Sequence, residues 1–223
     1  PAGANCENAI RVTVPAESPY NDLGQTNCGL GNVYTETCLN SYDGGEDIIY
    51  EIEITETMLF GISMTTTNTY TGIALIDDCP ETGTCLWRNT MSSAGTHNHE
   101  IELEAGTYYL MIDTWPSPNC IESFDLLLRK VCPVPVDLAV IDILQEQATI
   151  TWVEENDASN WHLLYGEAGF DPATEGTLVE NVSSPHTLYA LDMFTEYDVY
   201  VKSDCGGGLL SDWVGPESFT TLA

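Results

Sequence analysis

The feature that most constrains this chain is a period of two. In Asp47-Ile-Ile-Tyr-Glu-Ile-Glu-Ile54, the residues Ile48, Tyr50, Ile52 and Ile54 fall on one face of an extended segment, and Glu51 and Glu53 fall on the other. Successive strand residues point to opposite faces, so this spacing fits a half-buried strand and not a helix. Glu100-Ile-Glu-Leu-Glu104 repeats the pattern and turns at Ala105-Gly106. Thr107–Asp113 is the expected partner strand, and Ser123–Leu128 follows. Gly, Pro, Asn and Asp interrupt the alternation every ~8–12 residues, as antiparallel sheets require. The expected fold is all-β: two tandem antiparallel β-sandwich domains.

The boundary between them is expected where Cys132-Pro-Val-Pro135 forms a stiff, extended segment that cannot enter a central sheet. This gives domains 1–131 and 132–223. Seven strands are expected in the second, at Leu138–Val140, Ala148–Trp152, Trp161–Tyr165, Thr177–Val182, Pro185–Leu188, Tyr197–Val201 and Glu217–Thr221. Ala148, Ile150, Trp152, Trp161, Leu163 and Tyr165 should face inward, and His162 should alternate outward. That number of short strands suits a Greek-key sandwich.

Charge narrows the function classes. The 223 residues carry 5 Lys+Arg against 35 Asp+Glu, a formal net charge of -30. Five cations cannot form the basic footprint that phosphate backbones or anionic lipid require. The apolar runs, such as Ile73–Ile76 and Leu126–Leu128, are too short to span a bilayer as a helix. A hydrophobic content of 43% and an aromatic content of 9% oppose disorder despite the charge. Nineteen acidic residues precede Cys132 and 16 follow it, against four and one basic residues, so both domains share the acidic coat. Nucleic acid and direct membrane insertion are therefore not expected.

The 8 Cys include no Cys-x-x-Cys pair, which points to disulfides and to an oxidising, extracellular or cell-surface location. The absence of Met and of a leader before Pro1 points to a mature product or a fragment. Spacing favours a local bridge closing Cys79-Pro-Glu-Thr-Gly-Thr-Cys85. Cys6, Cys28, Cys38 and Cys120 then allow three pairings, of which Cys6–Cys38 with Cys28–Cys120 is preferred.

Several features of the second half together resemble a fibronectin type III domain, over Cys132–Thr221. They are Pro133-Val-Pro135, Trp152 on the second strand, Trp161-x-x-x-Tyr165 on the third and Leu191 six residues before Tyr197. The closing Ser211-Asp-Trp213 and Ser218-Phe-Thr-Thr221 complete the set. Ser203-Asp-Cys-Gly206 and a Cys before the first Pro resemble the variant found in secreted bacterial surface proteins, and that resemblance implies a Cys132–Cys205 bridge. Tyr197 looks like the corner tyrosine whose hydroxyl bonds back to the chain. The first half is similar to the pre-peptidase C-terminal type of bacterial β-sandwich, over residues 6–129. The matching pieces are Cys6-Glu-Asn-Ala9, Glu46-Asp-Ile-Ile-Tyr50, Asp77-Asp-Cys79 with Cys85 nearby, and Ala105–Asp113. This second resemblance implies an accessory domain without catalytic residues, some relatives of which bind calcium or glycans.

Candidate chemistry is sparse. Four His, no Gly-x-Ser-x-Gly elbow and oxidised Cys leave no nucleophile-and-base pair to expect, so no catalytic residue is assigned. His97-Asn-His99 puts two imidazoles on one face without the third ligand that zinc requires. Calcium fits better, because it takes six to eight hard oxygens. The candidate ligands are Asp43, Glu46 and Asp47 in Asp43-Gly-Gly-Glu-Asp47, and Asp77 and Asp78 with Asp113 across the sheet. Gly44-Gly45 would let carbonyls turn toward an ion, and Asp47 could alternatively accept backbone N–H bonds. The loop aromatics Trp87 and Trp115, with Tyr20, Tyr42 and Tyr70, are candidate platforms for a glycan, because flat rings stack on sugar faces.

These observations favour a non-catalytic structural or adhesive unit of a secreted bacterial surface protein. Its expected partners are copies of itself, in a fibre or tandem array, or other cell-surface components. Calcium would screen the charge that opposes assembly. The alternative is a glycan-binding accessory module of a larger secreted hydrolase.

Overall fold

The computed structural model describes residues 1–116, 119–154 and 158–223. They form two compact units, Pro1–Lys130 and Val131–Ala223. Nearly all regular structure is strand, and among the described residues no helix is long and apolar enough to cross a membrane.

The first unit contains β1 (Ile10–Val14), β2 (Tyr20–Gln25), β3 (Ile48–Ile54), β4 (Met58–Thr66), β5 (Thr71–Ile76), β6 (Cys85–Met91), β7 (Gly95–Leu103), β8 (Gly106–Thr114) and β9 (Phe124–Val131). One sheet has the order β1-β3-β8-β5-β6 and the other β2-β9-β4-β7. Ile52 and Ile54 from the first sheet and Phe60, Met64, Phe124 and Leu126 from the second are buried in one apolar core. Each such side chain contributes roughly 1.5–3 kcal/mol on leaving water.

The expected hairpin of Glu100–Glu104 with Thr107–Asp113 does not form. β7 pairs with β4, while β8 lies in the other sheet between β3 and β5. Burial explains the switch at Ala105-Gly106. The last five residues of β8, Leu110–Thr114, are buried on both faces, which suits the centre of a covered sheet. β7 alternates between buried and exposed positions, which suits an edge.

The outer face of the five-stranded sheet is also covered. Ile49, Ala74, Ile76 and Met111 pack there against Tyr34 and Leu39, which belong to an irregular segment between β2 and β3. Disulfide Cys38–Cys85 ties this cover to β6, and Cys6–Cys79 ties the segment before β1 to the β5–β6 turn. The expected local bridge Cys79–Cys85, and with it Cys6–Cys38, is thereby corrected. The loop from Asp77 to Thr84 is already closed by its backbone, with Asp77 N–H donating to the Thr84 carbonyl at 3.1 Å and Thr82 N–H to the Cys79 carbonyl at 2.9 Å. Its two Cys are left to bond outside the loop, Cys85 to the irregular cover and Cys79 to the segment before β1. Cys28 pairs with Cys120 as preferred, and no Cys is free.

The second unit contains β10 (Val136–Ile141), β11 (Gln147–Val153), β12 (Asn160–Glu167), β13 (Thr177–Val182), β14 (His186–Tyr189), β15 (Glu196–Asp204) and β16 (Val214–Thr220). Its sheets, β10-β11-β14 and β13-β12-β15-β16, have the three-plus-four arrangement of a fibronectin type III-like sandwich. Trp152 and Trp161 meet in its core with ring centroids 5.9 Å apart. The Tyr197 hydroxyl accepts the Asp192 N–H at 2.9 Å, as a corner tyrosine does. Cys132 bonds to Cys205. His162 departs from its expected exposure, being only 7% exposed. It sits on a strand with neighbours on both sides, opposite Lys202, with its Nε2 3.5 Å from the Asp204 carboxylate.

Candidate functional site

The six candidate calcium ligands separate into three places. Asp77 and Asp78 cap their own turn, the first accepting the Thr84 N–H at 2.5 Å and the second the Cys79 N–H at 2.7 Å. They do not lie across from Asp113. The antiparallel register pairs Gly72 with Asp113 and Ile76 with Tyr109, so Asp77 and Asp113 are at opposite ends of β5. Glu46 turns its Oε2 to the N–H groups of Gly29 and Gly31, at 2.5 and 3.0 Å.

Asp43, Asp47 and Asp113 converge. The irregular cover folds over the end of the sandwich, and its route is fixed by hydrogen bonds to main-chain groups. Buried Asn27 donates its Nδ2–H to the Glu46 carbonyl and accepts the Ile121 N–H on Oδ1 at 2.5 Å. Asp47 sits at the start of β3, and its Oδ2 accepts the N–H groups of Val33 and Tyr34 at 2.5 and 2.9 Å. Asp43 Oδ2 accepts the Thr37 N–H at 2.6 Å and its hydroxyl at 3.0 Å. Asp113, near the end of β8, accepts the Thr114 N–H on Oδ1 at 2.5 Å.

Gly44 and Gly45 have a role other than turning carbonyls toward an ion. Both donate their N–H to the Thr114 carbonyl, at 3.2 and 3.0 Å. A Cβ on Gly45 would lie 2.7 Å from the Asn119 carbonyl oxygen and 2.9 Å from Asp113 Oδ1. Only glycine lets the loop pass this close to β8.

The electrostatics are severe. Asp47 and Asp113 are fully buried and Asp43 is 8% exposed. The Asp47 and Asp113 carboxyls lie within hydrogen-bond reach of each other. Burial pushes the Asp113 carboxyl up to about 9; the Thr114 N–H opposes this, and the charges of Asp47 and Asp43 add to it. Asp47 is raised as well, first by burial, against the two N–H groups it accepts. Asp47 Oδ1 and Asp113 Oδ2 are buried without a hydrogen-bond partner. Among the described residues, no three His, Cys, Asp or Glu side chains are arranged at ligand distance around one point.

No family model and no curated protein matches this chain. Solved structures do match it. The fn3 domain of human collagen alpha-1(XX) chain is 22% identical, with 41% of this chain and 87% of that one covered at a TM-score of 0.36. The FN5 domain of Drosophila Lar is 17% identical, covering 42% and 99% at a TM-score of 0.36. A myokine structure is 18% identical, covering 41% and 99%, again at 0.36.

The two candidate aromatic platforms differ. Trp87 is on β6 and not on a loop, and His99 stacks on its ring at 4.4 Å, with the planes 2° apart. That pair closes one side of the sandwich. Tyr20, likewise, is on β2, with its hydroxyl near Asp22. Trp115 is 42% exposed and meets Tyr42 edge-on at 5.6 Å. The two rings border a groove of about 370 Å³, with Asn40, Arg88, Asn89 and Thr90 along it. Tyr42 immediately precedes Asp43, and Trp115 lies two residues after Asp113, so both sides of this groove adjoin the carboxylate cluster in sequence. A larger hollow of about 600 Å³ lies over Gly61, Ser63, Asn98 and Leu127, where Arg129 pairs with Glu100 at 3.3 Å.

Proposed function

We propose that this chain is a non-catalytic, extracellular structural unit of a secreted surface protein, which associates with copies of itself as a fibre protomer or tandem repeat. The observation that carries the reading is the covalent frame. All eight Cys are consumed in four bridges that close spans of 47 to 92 residues across two separate sandwiches. Such bridges persist in an oxidising compartment, and they leave no thiolate for nucleophilic chemistry.

Self-association draws support from an apolar group at one end of the second unit. Leu144, Met193, Phe194 and Leu222 are 49%, 55%, 76% and 51% exposed. Backbone bonds from Phe194 to Leu222 and from Leu222 to Leu144 hold them together. Exposed apolar groups of this kind mark interaction surfaces. Because a net charge of -30 opposes contact between copies, association should strengthen with ionic strength. Sedimentation velocity on the 24.4 kDa chain should find multimers at 0.5 M NaCl, and Phe194→Asp should return them to monomer. A wild-type chain that stays monomeric at every salt concentration would rule out the assembly.

The Tyr42–Trp115 groove favours a second reading, a glycan-binding accessory module. On a glycan array Trp115→Ala should then lower the signal roughly tenfold, in line with the loss of one stacked aromatic. Trp87→Ala should leave it unchanged, because His99 already covers that ring. Equal binding by wild type and Trp115→Ala would dismiss the glycan reading.

A further inference from the structure

A phenylalanine stands exposed in a turn whose backbone does not suit it. Phe194 is 76% exposed and holds φ at 55°, in the left-handed region. That region crowds a bulky side chain and favours glycine. The turn is nevertheless fixed. The Phe194 N–H donates to the Leu222 carbonyl at 3.2 Å, and the Thr195 N–H donates to Thr221 Oγ1 at 3.0 Å. A ring held outward in this way, with exposed Met193 and Leu222 as company, can bind without further ordering.

The surroundings of this knob are acidic. Exposed Asp192 and Glu196 flank Phe194 in sequence, and exposed Glu146 is tied to the same turn through its carbonyl, which accepts the Leu191 N–H at 3.0 Å. Knob against knob would set these carboxylates against their own copies, which disfavours a symmetric contact. Lys202, the one basic residue after Cys132, lies over the Trp213 ring. A cation to face the knob is found on the first unit.

The hollow over Gly61 has the complementary features. In β4, Phe60, Ile62 and Met64 point into the core, so Gly61 and Ser63 face outward. Glycine inside a strand marks a bulge, a sharp bend or a close approach by another molecule. β4 pairs with β7 without a break from Met58–Leu103 to Thr66–Gly95, so no bulge on that side accounts for Gly61. The missing side chain leaves space in a hollow of about 600 Å³ bounded by Ser63, Asn98 and Leu127. Arg129 also lines it, paired at 3.3 Å with Glu100. Both side chains are about half exposed, and such a pair is readily exchanged.

We propose that Phe194 of one copy seats in the Gly61 hollow of the next, with the acceptor's Arg129 facing the carboxylates beside the knob. This rests on the self-association proposed above and gives it a direction. Knob and hollow are different surfaces, so the contact repeats into rings or filaments, whereas a symmetric contact stops at two copies. At 0.5 M NaCl the Debye length is about 4 Å. Repulsion between copies is then screened, while a direct contact between Arg129 and a carboxylate persists.

Sedimentation velocity of the full chain at 0.5 M NaCl tests this with variants of both surfaces. Wild type should form species larger than dimers. Gly61→Leu fills the hollow, and φ at Gly61 is not positive, so leucine suits the backbone. Asn98→Trp covers the hollow from an exposed position on β7 and leaves β4 untouched. Each of these, like Phe194→Asp, should be monomeric alone. Phe194→Asp mixed with Asn98→Trp supplies one intact hollow and one intact knob, and should give 1:1 dimers and nothing longer. Arg129→Glu should raise the concentration for half-assembly at least about tenfold. If wild type stays monomeric, self-association itself fails, and this contact with it. If wild type and both hollow variants assemble alike, association stands and the hollow is not its acceptor. Wild-type dimers without larger species, or a mixture that stays monomeric, would overturn the head-to-tail contact in favour of a symmetric one. Unchanged assembly of Arg129→Glu would overturn the charge pairing.

Discussion

Replacing Cys28 and Cys120 together by Ala is expected to cost the first unit about 4–5 kcal/mol of stability. The bridge joins residues 92 apart in sequence, and the chain-entropy cost of leaving so long a loop open in the unfolded state gives a value of this size. The native side adds to the loss. Next to Cys28, Asn27 holds the Ile121 N–H, and next to Cys120, the Asn119 carbonyl accepts the Glu46 N–H at 2.7 Å. Releasing the bridge frees both ends of this network and loosens the loop that carries Asp43 and Asp47. With m near ~2 kcal/mol/M, the urea midpoint of the first unit should fall by about 2 M. Near-UV circular dichroism of oxidised wild type and the double variant reports the change. An unmoved midpoint would show that the bridge contributes nothing to the stability of the first unit. The transition of the second unit, which has its own Cys132–Cys205 bridge, serves as the internal reference.

Much of the fold is legible as alternation. β3 begins one residue after the expected segment and ends with it, and β13 has the bounds expected for it. What alternation does not contain is a neighbour. β5 is buried at every position, so it has no period to read, and its place beside β8 depends on the irregular cover above it. β1 pairs in parallel with β3, which requires a long connection that no local pattern announces. The hairpin assumed for β7 and β8 failed for the same reason. Two adjacent strands with a good turn can still enter different sheets when one must be buried on both faces.

The candidate site shows the same division. Asp43, Asp47 and Asp113 could be picked out as carboxylates on loops and strand ends, and Asp47 takes the alternative role of an N–H acceptor. Which carboxylates meet is a property of sheet order. Asp77 and Asp113 look equivalent along the sequence, yet the antiparallel register of β5 and β8 sends them to opposite ends of the sandwich. The disulfides follow this rule too. A short spacing suggested Cys79–Cys85, but the loop between them is closed by backbone bonds, and each Cys bonds to a segment far from it in sequence.

His97 makes the stability of the first unit sensitive to acid. It lies on β7, fully buried, and its Nε2 is 2.9 Å from the Thr71 hydroxyl on β5, so it links the two sheets across the core. Nδ1 has no partner, and burial lowers the imidazole pKa from 6.5 to about 4. A histidine with a depressed folded pKa binds its proton more readily when unfolded. Its contribution is therefore intact above about pH 6.5 and is lost as pH falls toward 4. Over that window the loss amounts to about 3 kcal/mol. Asp47 and Asp113 oppose it, because their raised pKa values favour the folded state as they take up protons. The fall in net negative charge works in the same direction as these carboxyls. The isolated effect appears as a difference between two proteins. His97→Gln retains a polar group toward Thr71 and cannot be protonated in this range. Urea unfolding at pH 7 and pH 4.5 should show wild type losing at least about 2 kcal/mol more than His97→Gln across that interval. Parallel profiles for the two proteins would show that His97 accepts its proton in the folded state at no cost.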